Sequence, residues 1–216
     1  MSEDIPIPAS SLSPDLPLPG EIAVMALPQV VLLPHSLLPL HIFETKYRLM
    51  LSLALAGNRR FAIAQKLDPP DFDLDPPDMA SVIGVGLIRA CLEREDGTSD
   101  LVLQGLQRVR VTKLAQADPF PRVGIADFPT TNSDPEHSRS LARQIQEQCR
   151  RLRNAGYRLP EQLSEHIGQM TDPEVICDVM AAACLREPAM RQKAMETGDL
   201  KHRLELVLGT IKAIGK

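Results

Sequence analysis

Hydrophobic and polar residues alternate in two different ways along this chain, and the change of period divides it. Residues 21–27, 30–33 and 38–43 are short apolar runs of extended character, with Pro28, Pro34 and Pro39 setting stiff turns around them. Thr45–Ala56 reads as a helix, because Tyr47, Met50, Leu51, Ala54 and Leu55 recur at helical spacing and Gly57-Asn58 supplies a stop. Arg60–Gln65 returns to a strand pattern. Residues 82–93 and 100–113 are aliphatic and β-branched and flank a turn at Glu95-Asp96-Gly97-Thr98-Ser99, the pattern of a hairpin. In its second arm, Arg108-Val109-Arg110-Val111 sends arginines to one face and valines to the other. Residues 121–128 predict one more strand.

Beyond Pro129-Thr-Thr-Asn-Ser-Asp-Pro135 the period becomes helical. Residues 137–155 place Leu141, Ile145, Cys149 and Leu152 on one face and Arg139, Arg143, Arg150 and Arg153 on another. Thr171-Asp172-Pro173-Glu174 has capping-box chemistry, and the helix it opens is expected to bury Val175, Ile176, Val179, Met180 and Ala183. Gly198-Asp199 restarts the chain as a last helix, with Leu200, Leu204, Val207, Leu208 and Ile211 in register. Strands first and helices afterwards predict an α+β protein. Its expected parts are a flexible Pro/Ser-rich leader at 1–20, a β-rich subdomain at 21–130 and a helical subdomain at 136–216.

Composition narrows the chemistry. Hydrophobic residues make up 44% of the 216, enough for a packed core, but only 3% are aromatic and none is Trp. Aliphatic side chains must fill that core, and stacking platforms for bases or sugars are scarce. The net charge is −4, which counts against general nucleic-acid binding. Charge is unevenly spread: residues 1–135 carry 11 basic and 17 acidic side chains, residues 136–216 carry 13 and 11. Between 139 and 158, six arginines face one glutamate, Glu147. This reads as a solvated helix face, with Arg139, Arg143, Arg150, Arg151 and Arg153 the candidate patch for an anionic partner.

Cys91, Cys149, Cys177 and Cys184 lack C-x-x-C spacing and read as reduced, mostly buried thiols of a cytoplasmic protein. Residues 22–43 carry no formal charge and imitate a membrane span, but three prolines would break such a helix. The acidic start, Met1-Ser2-Glu3-Asp4, is unlike a signal peptide, so no membrane partner is expected. Phosphate-cradling glycine loops, G-x-S-x-G and H-E-x-x-H are absent from the sequence. Asp71, Asp73 and Asp75 mimic the start of a calcium loop, but Pro76 and Val82 stand where Gly and a bidentate Glu are needed, so residues 68–78 read as a surface loop. His35 and His41 read as turn or surface histidines, with a metal pair or a hydrolase centre the sharper alternatives. No cofactor or metal is expected.

Several motifs resemble one family. Leu27-Pro-Gln-Val-Val-Leu-Leu-Pro34, Leu38-Pro-Leu-His-Ile-Phe-Glu44 and Tyr47-Arg48 resemble the opening signature of the Lon N-terminal domain family. The resemblance continues through Gly57-Asn-Arg-Arg-Phe61, Ile83-Gly84 and Gln104-Gly-Leu-Gln-Arg-Val-Arg-Val111. It departs at His35, where glycine is common, and at Thr45, where proline is common. The motif positions also have physical readings: Ile42 and Phe43 are expected to bury at a strand end, and Glu44 to meet the positive end of the helix that follows.

The resemblance implies a PUA-like β-barrel with one internal helix, followed by a C-terminal helical bundle. In full-length Lon proteases such a module helps capture substrates ahead of an ATPase and a Ser–Lys peptidase, and 216 residues leave room for neither. The expectation is therefore a non-enzymatic module that recognises unfolded or partner polypeptides, with a protease or chaperone as a further partner. Its candidate contact residues are Leu37, Leu38, Tyr47 and Phe120. The alternative is an RNA-binding PUA-like protein using Arg108 and Arg110 with the arginine-rich helix face, against which the pI of about 5.8 and the few aromatics weigh.

Overall fold

In the computed structural model, which describes residues 18–76, 78–156 and 167–214, the chain order follows the two periods. Strands β1 (Glu21–Leu27) and β2 (Leu37–Ile42) precede α1 (Thr45–Ala56), and β3 (Arg60–Gln65), β4 (Val82–Glu93), β5 (Ser99–Gln116) and β6 (Arg122–Asp127) follow it. Then come α2 (Pro135–Asn154), a 3-10 turn at Ile167–Gln169, α3 (Pro173–Cys184), α4 (Pro188–Glu196) and α5 (Leu200–Ile214). The expected leader up to residue 17, and Arg158 of the arginine stretch, lie outside the described residues. Helix α4 is an addition to the elements read from sequence; Pro188 in its first turn is its local start signal.

The strands form one mixed sheet in the order β2-β5-β4-β3-β1-β6, and β6 also returns to pair with β5. β1 and β3 run parallel, which needs the long crossover through β2 and α1. β5 has 18 residues, long enough to serve two neighbours on one side. Its N-terminal part pairs with β2 from Leu37↔Gln104 to Ile42↔Ser99, and its C-terminal part pairs with β6 from Val109↔Asp127 to Gln116↔Arg122.

Apolar residues of the sheet divide between two cores. Ile22, Val24, Ala62, Val85, Val109 and Val123 meet on one face. Met25, Phe61, Ile63, Ile88 and Leu103 meet on the other, under Tyr47, Met50 and Leu51 of α1. A third core joins α2, α3, α4 and α5 and includes Leu33 and Val82 from the sheet half.

Residues 30–33, expected as a strand, have no ladder partner among the described residues; Leu32 and Leu33 are buried and Val30 and Val31 partly so. Their alternation serves two cores instead: Val30 and Leu32 pack under α1, while Val31 and Leu33 pack into the helical core. The segment runs against β4 and β5, where a Cβ on Gly84 or Gly105 would overlap the carbonyl oxygen of Leu32 or Leu33. Gly105 also exchanges backbone hydrogen bonds with the turn that follows, His35 N–H to Gly105 O and Gly105 N–H to Ser36 O, both 2.9 Å. Two glycines of the family-like motifs thus admit a crossing chain.

The helices are tied to the sheet by buried charge. Arg108 of β5, expected on a surface, is 3% exposed. Its guanidinium donates to Thr197 O at 3.2 Å, to Thr130 Oγ1 and to Glu174 Oε1 at 3.1 Å. Arg203 of α5 is fully buried, with Nη2 3.3 Å from Glu174 Oε1 and Nε 3.2 Å from Asp178 Oδ1. Gln192 of α4 donates to Val82 O at 3.0 Å. A short bridge completes the junction: Thr131 N–H donates to Gly198 O, and Leu200 N–H to Thr131 O.

Candidate functional site

Successive residues of β2 point to opposite faces of the sheet. Leu38, Leu40 and Ile42 turn inward to the core under α1. Leu37, Pro39 and His41 turn outward, and Phe43 continues their row. The register extends that outward face across two more strands: Pro39 lies beside Val102 and Ala90, and His41 beside Asp100 and Leu92. Leu37, Phe43 and Leu92 are 60%, 63% and 66% exposed. Three large apolar side chains so uncovered on one face are unusual for a surface with no partner.

A shallow groove of about 530 Å³ lies here, lined by Pro39, Leu40, His41, Ala90, Leu92 and Val102 among others. Its polar members are spent on one another. His41 Nδ1 is 2.7 Å from Asp100 Oδ1, and Arg94 Nε donates to Asp100 Oδ2 at 2.8 Å. Hydrogen bonds from His41 and then Arg94 hold the Asp100 carboxyl below its ordinary range. The His41 ring stacks with Phe43, centroids 6.1 Å apart. At the other end of the face, Arg89 Nε donates to Gln104 Oε1.

Of the residues read as polypeptide contacts, Leu37 belongs to this face and Leu38 lies half-buried beneath it. Tyr47 and Phe120 are 6% and 4% exposed and belong to the core under α1, so they support the surface without forming it. Phe43, expected to bury with Ile42, is instead exposed, because neighbouring residues of an extended chain cannot share a face. Phe43 and Leu92 are the members that motif reading passed over, and the alternation of residues 37–43 is the signal that finds them.

The arginine stretch of α2 divides. Arg150 and Arg151 both bond to Glu147. Arg139 and Arg143 line a cleft of about 630 Å³ between α2 and the start of α3, together with Glu136, Gln146 and Met170. The burial of Arg108 removes it from any RNA-facing surface, and the guanidinium of Arg110 lies 4.8 Å from the centre of the Phe128 ring. His35 and His41 do not come together: their positions on β5, Gly105 and Asp100, are five residues or roughly 17 Å apart along the strand. In the Asp/Pro loop, Asp71 accepts from Asp73 N–H and Asp75 from Leu114 N–H. Among the described residues no group of three or more His, Cys, Asp or Glu is placed to hold a metal ion, and no helix is long and apolar enough to cross a membrane.

Residues 21–213 match the family model described as the ATP-dependent protease La (LON) substrate-binding domain. Curated relatives include Lon protease of Desulfosudis oleivorans, 24% identical over 191 residues, covering 88% of this chain and 23% of the relative. Lon protease 1 of Thermus thermophilus is 26% identical over 193 residues, covering 88% of this chain and 24% of the relative. The chain therefore spans about a quarter of the length of the curated relatives it matches. Two solved structures share the fold. The N-terminal domain of Mycobacterium avium complex Lon protease superposes with a TM-score of 0.70 at 17% identity, over 89% of this chain and 98% of that one. A Lon N-terminal domain protein from Xanthomonas campestris gives 0.62 at 20% identity, over 88% and 97%.

Proposed function

Because the chain belongs to the ATP-dependent protease La (LON) substrate-binding domain family, we propose that it is a non-catalytic module that holds polypeptides on the outward face of β2, β5 and β4. The supporting observation is the three uncovered apolar side chains of this face, Leu37, Phe43 and Leu92, of which Leu92 lines the shallow groove. Covering what remains exposed of three such side chains offers about 3–6 kcal/mol before the cost of ordering a flexible segment, which suits weak, reversible capture. The captured chain is then the substrate of a protease, the activity named for the relatives. The setting is the cytoplasm, where four free thiols stay reduced.

The test is binding of a permanently unfolded protein, without ATP, followed to tens of micromolar by fluorescence anisotropy. The variant L37S/F43S/L92S is expected to bind at least about tenfold more weakly, with an unchanged thermal midpoint because all three side chains are already exposed. No binding by the natural chain, or equal binding by the variant, overturns the proposal.

A further inference from the structure

On that reading of the site, we infer that the face recognises apolar side chains at alternate positions of an extended segment and favours a cationic flank beside the β4–β5 turn. Backbone addition to the free edge of β2 is not the mode.

Among the described residues β2 is the outermost strand of the sheet and pairs with β5 alone. A six-residue strand turns three residues towards its open edge, and a proline is tolerated in a sheet where its nitrogen faces away from the ladder. Pro39, at the centre of that open side, offers an added strand no N–H. The side chains of the same residues remain available on the outward face. Leu37, Pro39, His41 and Phe43 form a row with a two-residue repeat, and an extended segment with apolar residues at the same repeat lies on it in register.

Acidic side chains gather at the β4–β5 end of the groove. Arg94, Glu95 and Asp96 form the turn, and Asp100 of β5 lies in the outward row with Leu92 and His41, whereas Glu93 falls in the inward row with Ser99 and Ile42. From the start of α1, the Arg48 guanidinium packs against Gly97 at the turn, and Lys46 pairs with Glu44 at 3.5 Å. Arg94 is taken by Asp100. Three carboxylates, Glu95, Asp96 and Asp100, thus stand against two guanidiniums, Arg94 and Arg48, while the far end of the face carries Arg89 on Gln104. A segment whose basic residue lies at the turn end meets complementary charge, and one with an acidic residue there meets like charge.

The experiment uses short labelled peptides with leucine at alternate positions and lysines or glutamates at one end, titrated onto the whole chain. The lysine-flanked peptide is expected to bind roughly fivefold more tightly. That gap should close between about 0.1 M and about 1 M salt, as the screening length falls from about 10 Å to about 3 Å. The variant E95K should abolish the preference, and N-methylation of alternate peptide amides should change affinity by less than about twofold. Equal binding of the two flanks, or loss of binding on N-methylation, overturns the inference while leaving capture of an unfolded protein intact. If neither peptide nor unfolded protein binds, the functional proposal itself fails.

Discussion

His35 stands in the left-handed region, at φ 60°, in the turn that hands the crossing segment over to β2. A side chain there costs about 1–2 kcal/mol, part of which a glycine returns through its greater freedom in the unfolded chain. H35G is therefore expected to stabilise the protein by about 0.5–1 kcal/mol, read from the midpoint of urea unfolding. The departure from the family-like motif was visible in the sequence, but its backbone conformation was not. Ile42 and Phe43 show the same boundary. Hydrophobicity placed both inside, while the two-residue repeat, which does not depend on hydrophobicity, sends Phe43 out.

The α3 and α5 helices show what periodicity leaves unread. Leu200, Leu204, Val207, Leu208 and Ile211 are all buried as their spacing requires. Arg203 sits in the same stripe and is buried with them, as is Asp178 in α3. On α3 the expected Ala183 is exposed, and Cys177, Asp178 and Ala181 are covered instead. A charged residue on an apolar stripe is legible only as an exception, because its partner lies on another element. Burial pushes the Asp178 carboxyl up to about 8, with Arg108 pulling against it. Replacing Arg203 leaves Asp178 and Glu174 short of a cation, so R203L is expected to cost about 3–5 kcal/mol. The double variant R203L/D178L should recover much of that loss. A carboxyl whose folded pKa is raised favours the folded state when protonated and loses that contribution as pH rises towards 8. The stability of the natural chain, measured by chemical denaturation, should therefore carry a contribution that falls as pH rises from about 4 towards 8, and R203L/D178L should lack it.

For the molecule as a whole, the order of strands and helices was legible because, apart from the excursion of α1, the period turns from strand to helix near residue 130. What the sequence reading missed is how the two parts share residues. The run 30–33 looks like an ordinary buried strand, since nothing local reveals that its two faces meet two different cores. Together with Arg108, Gln192 and the Thr131 bridge, it ties the sheet to the helices, and the two are expected to unfold as one unit. Amide exchange by the native protein should give the same opening free energy for the most protected sites of β4 and of α5. A gap of more than about 2 kcal/mol between them would show separate units. Helix α1 was read with its bounds intact, and so was β3. Leu37 of the candidate face was read too, whereas Leu92 needed the β4–β5 register that only the folded chain supplies.

One strand carries a mechanical meaning. β5 holds the floor of the groove at Asp100 and Val102 and, further along, the junction arginine at 108. If the groove holds a chain as proposed, a pull on that chain along the strand loads β5 between the groove and the helices. Its many bonds to β4 then resist in shear, sharing the force, instead of parting one at a time like a zip. Under tension the lifetime of such a part is governed by its unfolding rate. On the proposed reading the strand is a tie rod: it lets the groove face hold its ligand weakly while its mounting stays firm.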